Sequence, residues 1–123
     1  MAKTILAIFD KASDVKLVRQ VFANNHRIWS CVSIERGLEL ISEGLKPQLV
    51  LSPYIQGETE ALFEHKDLEI TPIILYAEPT KIATYQREMR RARAIIHYPI
   101  NEFALLRDVE RYIRGKDYPV FTG

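Results

Sequence analysis

The most concentrated charge in the sequence is a run of arginines. Arg87, Arg90 and Arg91 are three and four residues apart, so they share one face if the segment is helical, and Arg93 follows. Such a face is either a solvated surface or a docking surface for an acidic partner. Nucleic-acid contact is a weaker alternative, because the opposite charges elsewhere in the chain cancel most of the electrostatic field.

Residues able to catalyse a reaction or bind a metal form no recognisable set. His26, His65 and His97 are far apart and lack ligand spacing. There is no glycine-rich phosphate loop, and no nucleophile, base and orienting group stand in a pattern. The single cysteine, Cys31, lies in an apolar stretch and is predicted to be a buried, inert thiol. We therefore expect no enzyme activity and no cofactor.

Length and composition indicate one globular domain. The chain has 123 residues, of which 47% are hydrophobic and 27% charged. The formal net charge of +1 gives no overall attraction to nucleic acid or to an anionic membrane. The apolar run at the N-terminus is too short for a signal peptide or a membrane span, which leads us to expect a cytoplasmic protein.

Short apolar runs alternate with amphipathic segments along the chain. Strands are predicted over residues 4–9, 28–32, 49–51, 72–76 and 94–98. Five helices are predicted between and after them: one capped by Ser13, one capped by Ser33 and stopped by Gly44, one over 59–66, one over about 78–92, and one from Asn101 to Gly115. This alternation predicts an α/β fold with a doubly wound, five-stranded parallel sheet and five helices.

In their order, these local motifs resemble the receiver domain of bacterial response regulators in two-component signal transduction. Residues 3–10 resemble the opening strand, which ends in an acidic pair in that family, and 46–51 resemble the approach to the phosphorylation site. Residues 37–40, 71–75 and 97–100 resemble the second helix, the fourth strand and the Lys-Pro turn. The likeness covers about residues 3–114, with 115–123 as a tail. It implies flavodoxin-like strand order, and a cis peptide at Tyr98–Pro99.

The resemblance also assigns positions to the family's phosphate chemistry. That chemistry uses carboxylates to hold Mg²⁺, an aspartate as phosphoryl acceptor, and a hydroxyl and a lysine that contact the phosphate. The acidic pair falls on Phe9 and Asp10, the acceptor on Pro53 (or Ser52 if the strand is one residue shorter), the hydroxyl on Ala77, the switch aromatic on Ile95 and the lysine on Tyr98. Since Asp10 alone keeps its chemistry, the resemblance implies a degenerate pseudo-receiver.

Several of these residues have more than one interpretation. Asp10 is either a weak Mg²⁺ ligand, with Asp14 one helical turn later, or a cap for the loop's backbone N–H groups, and we favour the cap. Pro53 stiffens its loop, which either stops moving or locks the domain in one binding state. The Tyr98 ring is predicted to occupy the emptied pocket. Trp29 is predicted to lie in the core, and Tyr54 beside the former active site.

Three functions fit these expectations. The first, which we favour, is a non-catalytic module that binds another signalling protein, such as a kinase or regulator, through Arg87, Arg90, Arg91 and Tyr98. In the resembled family the fourth helix, fifth strand and fifth helix commonly form the partner or dimer face, so a homodimer is an alternative.

The other two functions make use of the former phosphorylation pocket. One is a phosphorelay receiver that uses Asp10 as an atypical acceptor. The other is a small-molecule sensor with an apolar pocket lined by Phe9, Ala77 and Tyr98.

Overall fold

The fold is built on one parallel sheet, seen in a computed structural model that describes residues 3–78 and 91–113. Its strands are β1 (Thr4–Ile8), β2 (Arg27–Cys31), β3 (Leu49–Pro53), β4 (Ile73–Ala77) and β5 (Ala94–His97). They pair in parallel in the order β2-β1-β3-β4-β5. The predicted doubly wound sheet with flavodoxin-like receiver topology is thereby confirmed.

Helices follow the strands, as the alternating pattern predicted. In the described residues they are α1 (Ala12–Phe22), α2 (Ile34–Ser42), α3 (Glu60–Glu64) and α4 (Glu102–Tyr112), with a 3₁₀ turn at Lys66–Leu68. The predicted helix over about 78–92 falls mostly, and the tail at 115–123 entirely, outside the described residues. None of the helices that the structure describes is long and apolar enough to cross a bilayer.

Two of the three predicted serine or asparagine caps are confirmed. The Ser33 hydroxyl accepts a hydrogen bond from the Arg36 amide at 3.1 Å, and the Asn101 side chain accepts one from the Ala104 amide at 2.8 Å. The prediction for Ser13 was wrong. The backbone is still extended at Lys11 and turns helical at Ala12, which places Ser13 inside the first turn.

The central strands are buried on both faces of the sheet. Every residue of β3 and β4 is buried, which explains why these strands read as continuous apolar runs. On one face Ile5, Leu51 and Ile74 pack with side chains of α1 and α4. On the other face Leu6 and Leu75 pack with side chains of α2 and α3. Side chains in these strands therefore reach solvent only at the strand ends.

The edge strand β2 departs from the prediction. Trp29 was expected in the core but is 49% exposed, because β2 lies at the end of the strand order and pairs with β1 alone. Cys31 is half-buried and not fully enclosed, and its thiol donates to the Ser33 carbonyl at 3.5 Å. Partial burial raises the pKa of the Cys31 thiol, which keeps it in the unreactive protonated form.

Gly37 lies where α2 packs tightly against the sheet. A Cβ at this position would lie 2.8 Å from Ile8 Cδ1 and 3.5 Å from Cys31 Sγ.

We expect Gly37→Ala to destabilise the protein by about 1–3 kcal/mol through overpacking, against about 1 kcal/mol gained in helix propensity. Ile8→Val removes the clashing methyl group, so Gly37→Ala should cost less in that background. Denaturant unfolding of the four proteins tests this, and strictly additive effects would contradict it.

Candidate functional site

A pocket of about 290 Å³ opens at the carboxyl ends of the strands. Four predicted phosphorylation-pocket positions meet here: Asp10 after β1, Pro53 at the end of β3, Ala77 at the end of β4 and Tyr98 after β5. Parallel strands bring their carboxyl ends to the same edge of a sheet, which is why residues so distant in sequence share one pocket. The other lining residues are Lys11, Tyr54, Ile55, Gln56, Tyr76 and Glu78.

The other predicted pocket positions lie in the protein interior. Phe9 is fully buried in the core shared with α1 and α4. Ser52 is fully buried too, and its hydroxyl donates to the Pro53 carbonyl at 3.0 Å. Ile95 pairs with Leu75 in the sheet and is partly buried, packed against the core beneath α2 and α3. The expected apolar pocket of Phe9, Ala77 and Tyr98 is therefore wrong in part, because Phe9 does not line it and charged residues do.

Three aromatic side chains, here called the aromatic trio, occupy the inner side of the site. The Phe9 and Tyr76 rings stack at 4.6 Å between centroids with an angle of 12°. The Tyr98 ring meets Tyr76 edge-on at 5.3 Å and 86°. The Tyr76 hydroxyl donates to the Ile8 carbonyl. Burial raises the pKa of both tyrosines, so they are neutral phenols at physiological pH.

Lys11 supplies the pocket's cation from an unexpected position in the chain. Its ammonium lies 4.9 Å from the centroid of the Tyr98 ring, a cation–π contact. The resemblance had placed the pocket lysine after β5, where Tyr98 stands. Sequence reasoning missed Lys11, and its adjacency to Asp10 was the only available signal.

The carboxylates here do not fit the Mg²⁺ site that the receiver fold implies. Asp10 is exposed, while the neighbouring positions Phe9 and Pro53 carry no side-chain oxygen. In residues 3–78 and 91–113 no three His, Cys, Asp or Glu side chains stand close enough to share a metal ion. The two carboxylates that line the pocket, Asp10 and Glu78, supply too few of the oxygen ligands that Mg²⁺ requires. The described residues also give the Asp10 carboxylate no backbone N–H partner, so the predicted capping contact is not seen.

A hydroxyl network fixes the loop that follows β3. The Thr59 side chain is 1% exposed; it accepts from the Ile55 amide at 2.7 Å and donates to the Pro53 carbonyl at 3.3 Å. Pro53 has a fixed φ and no amide hydrogen. Pro53 itself is the last residue of β3, and the stiffening predicted for it stays a prediction. Tyr54, in the same loop, lines the pocket and is 9% exposed.

The turn after β5 and the start of α4 carry the remaining predicted features. The Tyr98–Pro99 peptide is cis, as the resemblance implied. On α4, Leu105 and Val109 are buried, whereas Phe103 is 74% and Leu106 45% exposed. Phe103 and Leu106 are three residues apart and share a helix face, so α4 presents a small apolar surface to solvent. The resemblance had placed this helix, the fifth of the predicted helices, in the partner or dimer face, but sequence reasoning did not single out Phe103 or Leu106.

Only part of the predicted arginine surface can be located. Arg87 and Arg90 lie outside the described residues. Arg91 is exposed, and its guanidinium donates to the Phe63 carbonyl at 3.1 Å and lies 5.0 Å from the centre of the Phe63 ring. Arg91 is thus held against α3.

Solved structures of receiver proteins share this fold. NtrX from Brucella abortus, in complex with ADP, matches with a TM-score of 0.78 and 22% identity over 100% of this chain and 31% of that one. Chemotaxis response regulator CheY4 of Vibrio cholerae matches with a TM-score of 0.78 and 16% identity, over 91% of this chain and 99% of CheY4. The signal receiver domain of a histidine kinase from Syntrophus aciditrophicus matches with a TM-score of 0.80 and 17% identity, over 99% of this chain and 98% of that domain.

These matches establish the receiver fold for this chain. The chain spans 31% of the length of NtrX, and nearly the full length of the other two proteins. No protein-family model and no curated protein matches the sequence.

Asp14 is a carboxyl whose environment disfavours its charge. Its Oδ2 atom is buried and has no hydrogen-bond partner. Desolvation raises the pKa of Asp14 above its usual 3.8; the charge of Lys11 opposes this and that of Asp10 adds to it. Because the folded-state pKa exceeds the unfolded one, this carboxyl destabilises the folded protein once the pH has risen through the folded-state pKa.

We expect Asp14→Asn to stabilise the protein at pH 7, by at most about 1 kcal/mol because the group is only partly buried. The difference should vanish below pH 3.8, where the carboxyl is protonated in both states. Denaturant unfolding of both proteins between acid and neutral pH tests this. An equal difference at every pH would show that the charge of Asp14 is not responsible.

Proposed function

We propose that this protein is a receiver-type signalling module that takes up no phosphoryl group and acts by binding another protein. The observation that carries the proposal is that Pro53, which the resemblance aligns with the acceptor aspartate, ends β3 and lines the pocket. An aspartyl phosphate requires a carboxylate at this point, and proline has no side-chain nucleophile.

The rest of the pocket supports the same conclusion. Ala77 has no hydroxyl to contact a phosphate oxygen, and Tyr98 offers a neutral ring where the family has a lysine. Phe9 is packed on Tyr76 at 4.6 Å and cannot contribute to metal binding. Phosphoryl transfer depends on Mg²⁺ and cationic groups to neutralise developing charge, and Lys11 is the single cationic side chain lining the described pocket.

Incubation with Mg²⁺ and a small phosphodonor such as acetyl phosphate is the direct test. We expect intact-mass spectrometry to show no phosphoryl adduct, because the acceptor carboxylate is missing. An active receiver treated in parallel provides the positive control. An adduct that Asp10→Asn abolishes would instead establish the alternative function, a phosphorelay receiver with an atypical acceptor at Asp10.

The proposed partner surface combines the arginine segment with the end of the sheet. It comprises Arg87, Arg90, Arg91 and Tyr98, to which the structure adds the exposed Phe103 and Leu106 of α4. Aromatic residues and arginine contribute much of the affinity at protein interfaces, which supports a binding role for both sets of side chains. The partner is a second signalling protein, such as a kinase or regulator of a bacterial-type cytoplasmic pathway, or a second copy of this chain.

Substitutions on this surface should separate binding from folding. We expect Phe103→Ser with Leu106→Ser to weaken partner capture or self-association at least tenfold, because truncating interface anchors costs about 2 kcal/mol or more. Stability should change by less than about 0.5 kcal/mol, since both side chains are exposed. Charge reversal of Arg87, Arg90 and Arg91 should act similarly.

Affinity capture and sedimentation velocity provide these measurements. The matched control is Val32→Ser with Ile70→Ser, which removes two other exposed apolar side chains, 75% and 81% exposed. If the α4 and arginine variants both bind as the unmodified protein does, the partner surface lies elsewhere.

A small-molecule sensor is a second candidate function, and the pocket of about 290 Å³ is the observation that favours it. Its lining combines the Asp10, Lys11 and Glu78 charges with tyrosine rings, which suits a polar ligand better than an apolar one. Thermal stabilisation of the protein by members of a metabolite library would support this function.

A further inference from the structure

A second concave surface lies between α2 and α3, on the opposite face of the sheet from α4. This α2/α3 groove has a volume of about 470 Å³. Ile34, Leu38 and Ala61 provide its apolar part, and Ser42 and Gly57 also line it. Ile34 is almost fully buried, Leu38 is half-buried and Ala61 is exposed, so the apolar surface runs from the core out to solvent.

The rim of the α2/α3 groove is acidic. Glu35, Glu39 and Glu58 line it, and none of its lining residues is basic. Arg36 pairs with Glu39 at 3.1 Å and with Glu43 at 3.4 Å, so it offsets part of this charge from outside the groove. Glu35 and Glu58 are both exposed, and no basic side chain of the described residues pairs with either.

We propose that the α2/α3 groove is a docking site for a basic amphipathic helix of a partner protein. The apolar part would take aliphatic side chains from one face of that helix, at spacings of three and four residues. The acidic rim would meet lysines or arginines that flank those side chains, and it would repel an acidic helix. This basic helix has the opposite charge to the acidic partner that the arginine segment would bind.

Two backbone features define the side of the groove that α3 provides. Gly57 adopts φ +85°, and a Cβ built there would meet no atom within 4 Å. The buried Thr59 hydroxyl, which bridges Ile55 and Pro53, holds the start of α3 in place beside the groove. Hydrogen bonds that hold the backbone before binding reduce the conformational entropy lost when a helix docks.

The test uses the whole chain, labelled with ¹⁵N, and a synthetic amphipathic helix with leucines on one face and lysines on the other. We expect saturable amide shifts around Ile34, Leu38 and Ala61. The same peptide with glutamates in place of lysines should not bind. Raising the salt concentration should weaken binding, because the rim charges are exposed.

Two substitutions distinguish the groove from general charge attraction. Glu35→Lys with Glu58→Lys should weaken binding by about tenfold or more, since each exposed charge pair is worth up to about 1 kcal/mol and its reversal adds repulsion. The matched control is Glu69→Lys with Glu102→Lys, which makes the same change in net charge at exposed positions outside the groove. The control should bind as the unmodified protein does.

A third variant tests the apolar part of the groove. Ala61→Gln adds bulk at an exposed helical position, so it should leave folding intact. It should weaken binding about fivefold, because the longer side chain blocks one contact of the interface. Unfolding curves confirm that each variant is folded. Absence of saturable shifts in the groove, or equal affinity of the reversed and control variants, would overturn the proposal. The phosphodonor test of the proposed function is independent of these results, so the two proposals can fail separately.

Discussion

Burial of the central strands on both faces is the constraint on which the rest of this structure depends. β3 and β4 expose no residue, and β1 is buried from Ile5 onward. Side chains within these strands are therefore committed to packing, and chemistry is confined to the positions just beyond their carboxyl ends. The same geometry allows the active-site residues of a receiver to change completely while the sheet and its helices stay in place.

The aromatic trio shows how that freedom has been used. Where receivers carry a carboxylate at the first acidic position, Phe9 is buried and stacked on Tyr76, and the Tyr76 hydroxyl bonds to the Ile8 carbonyl. Aromatic pairs of this kind stabilise a fold by about 0.5–1.5 kcal/mol beyond the burial of their area. A buried carboxylate, by contrast, must be paired or coordinated. At this point the present chain has a stacked aromatic pair continuous with its core.

Sequence patterns predicted the parts of this fold that depend on local physics. Continuous apolar runs located all five strands, and Ser33 and Asn101 marked two helix starts because their side chains bond to nearby amides. Trp29 was misplaced since its exposure depends on β2 lying at the edge of the sheet, a consequence of strand order that the strand itself does not encode. The Lys11 contact with Tyr98 was missed for the same reason: it joins residues 87 positions apart.

The near-neutral net charge conceals a separation of charge over the chain. The +1 total results from 17 basic and 16 acidic residues, with four arginines between positions 87 and 93 and three glutamates around the α2/α3 groove. Exposed charges act over about 8–10 Å at physiological salt, so a partner senses the patch that it approaches more than the total. The proposed partner surface and the proposed α2/α3 docking site would therefore attract partners of opposite charge, and neither site would require a phosphorylated state.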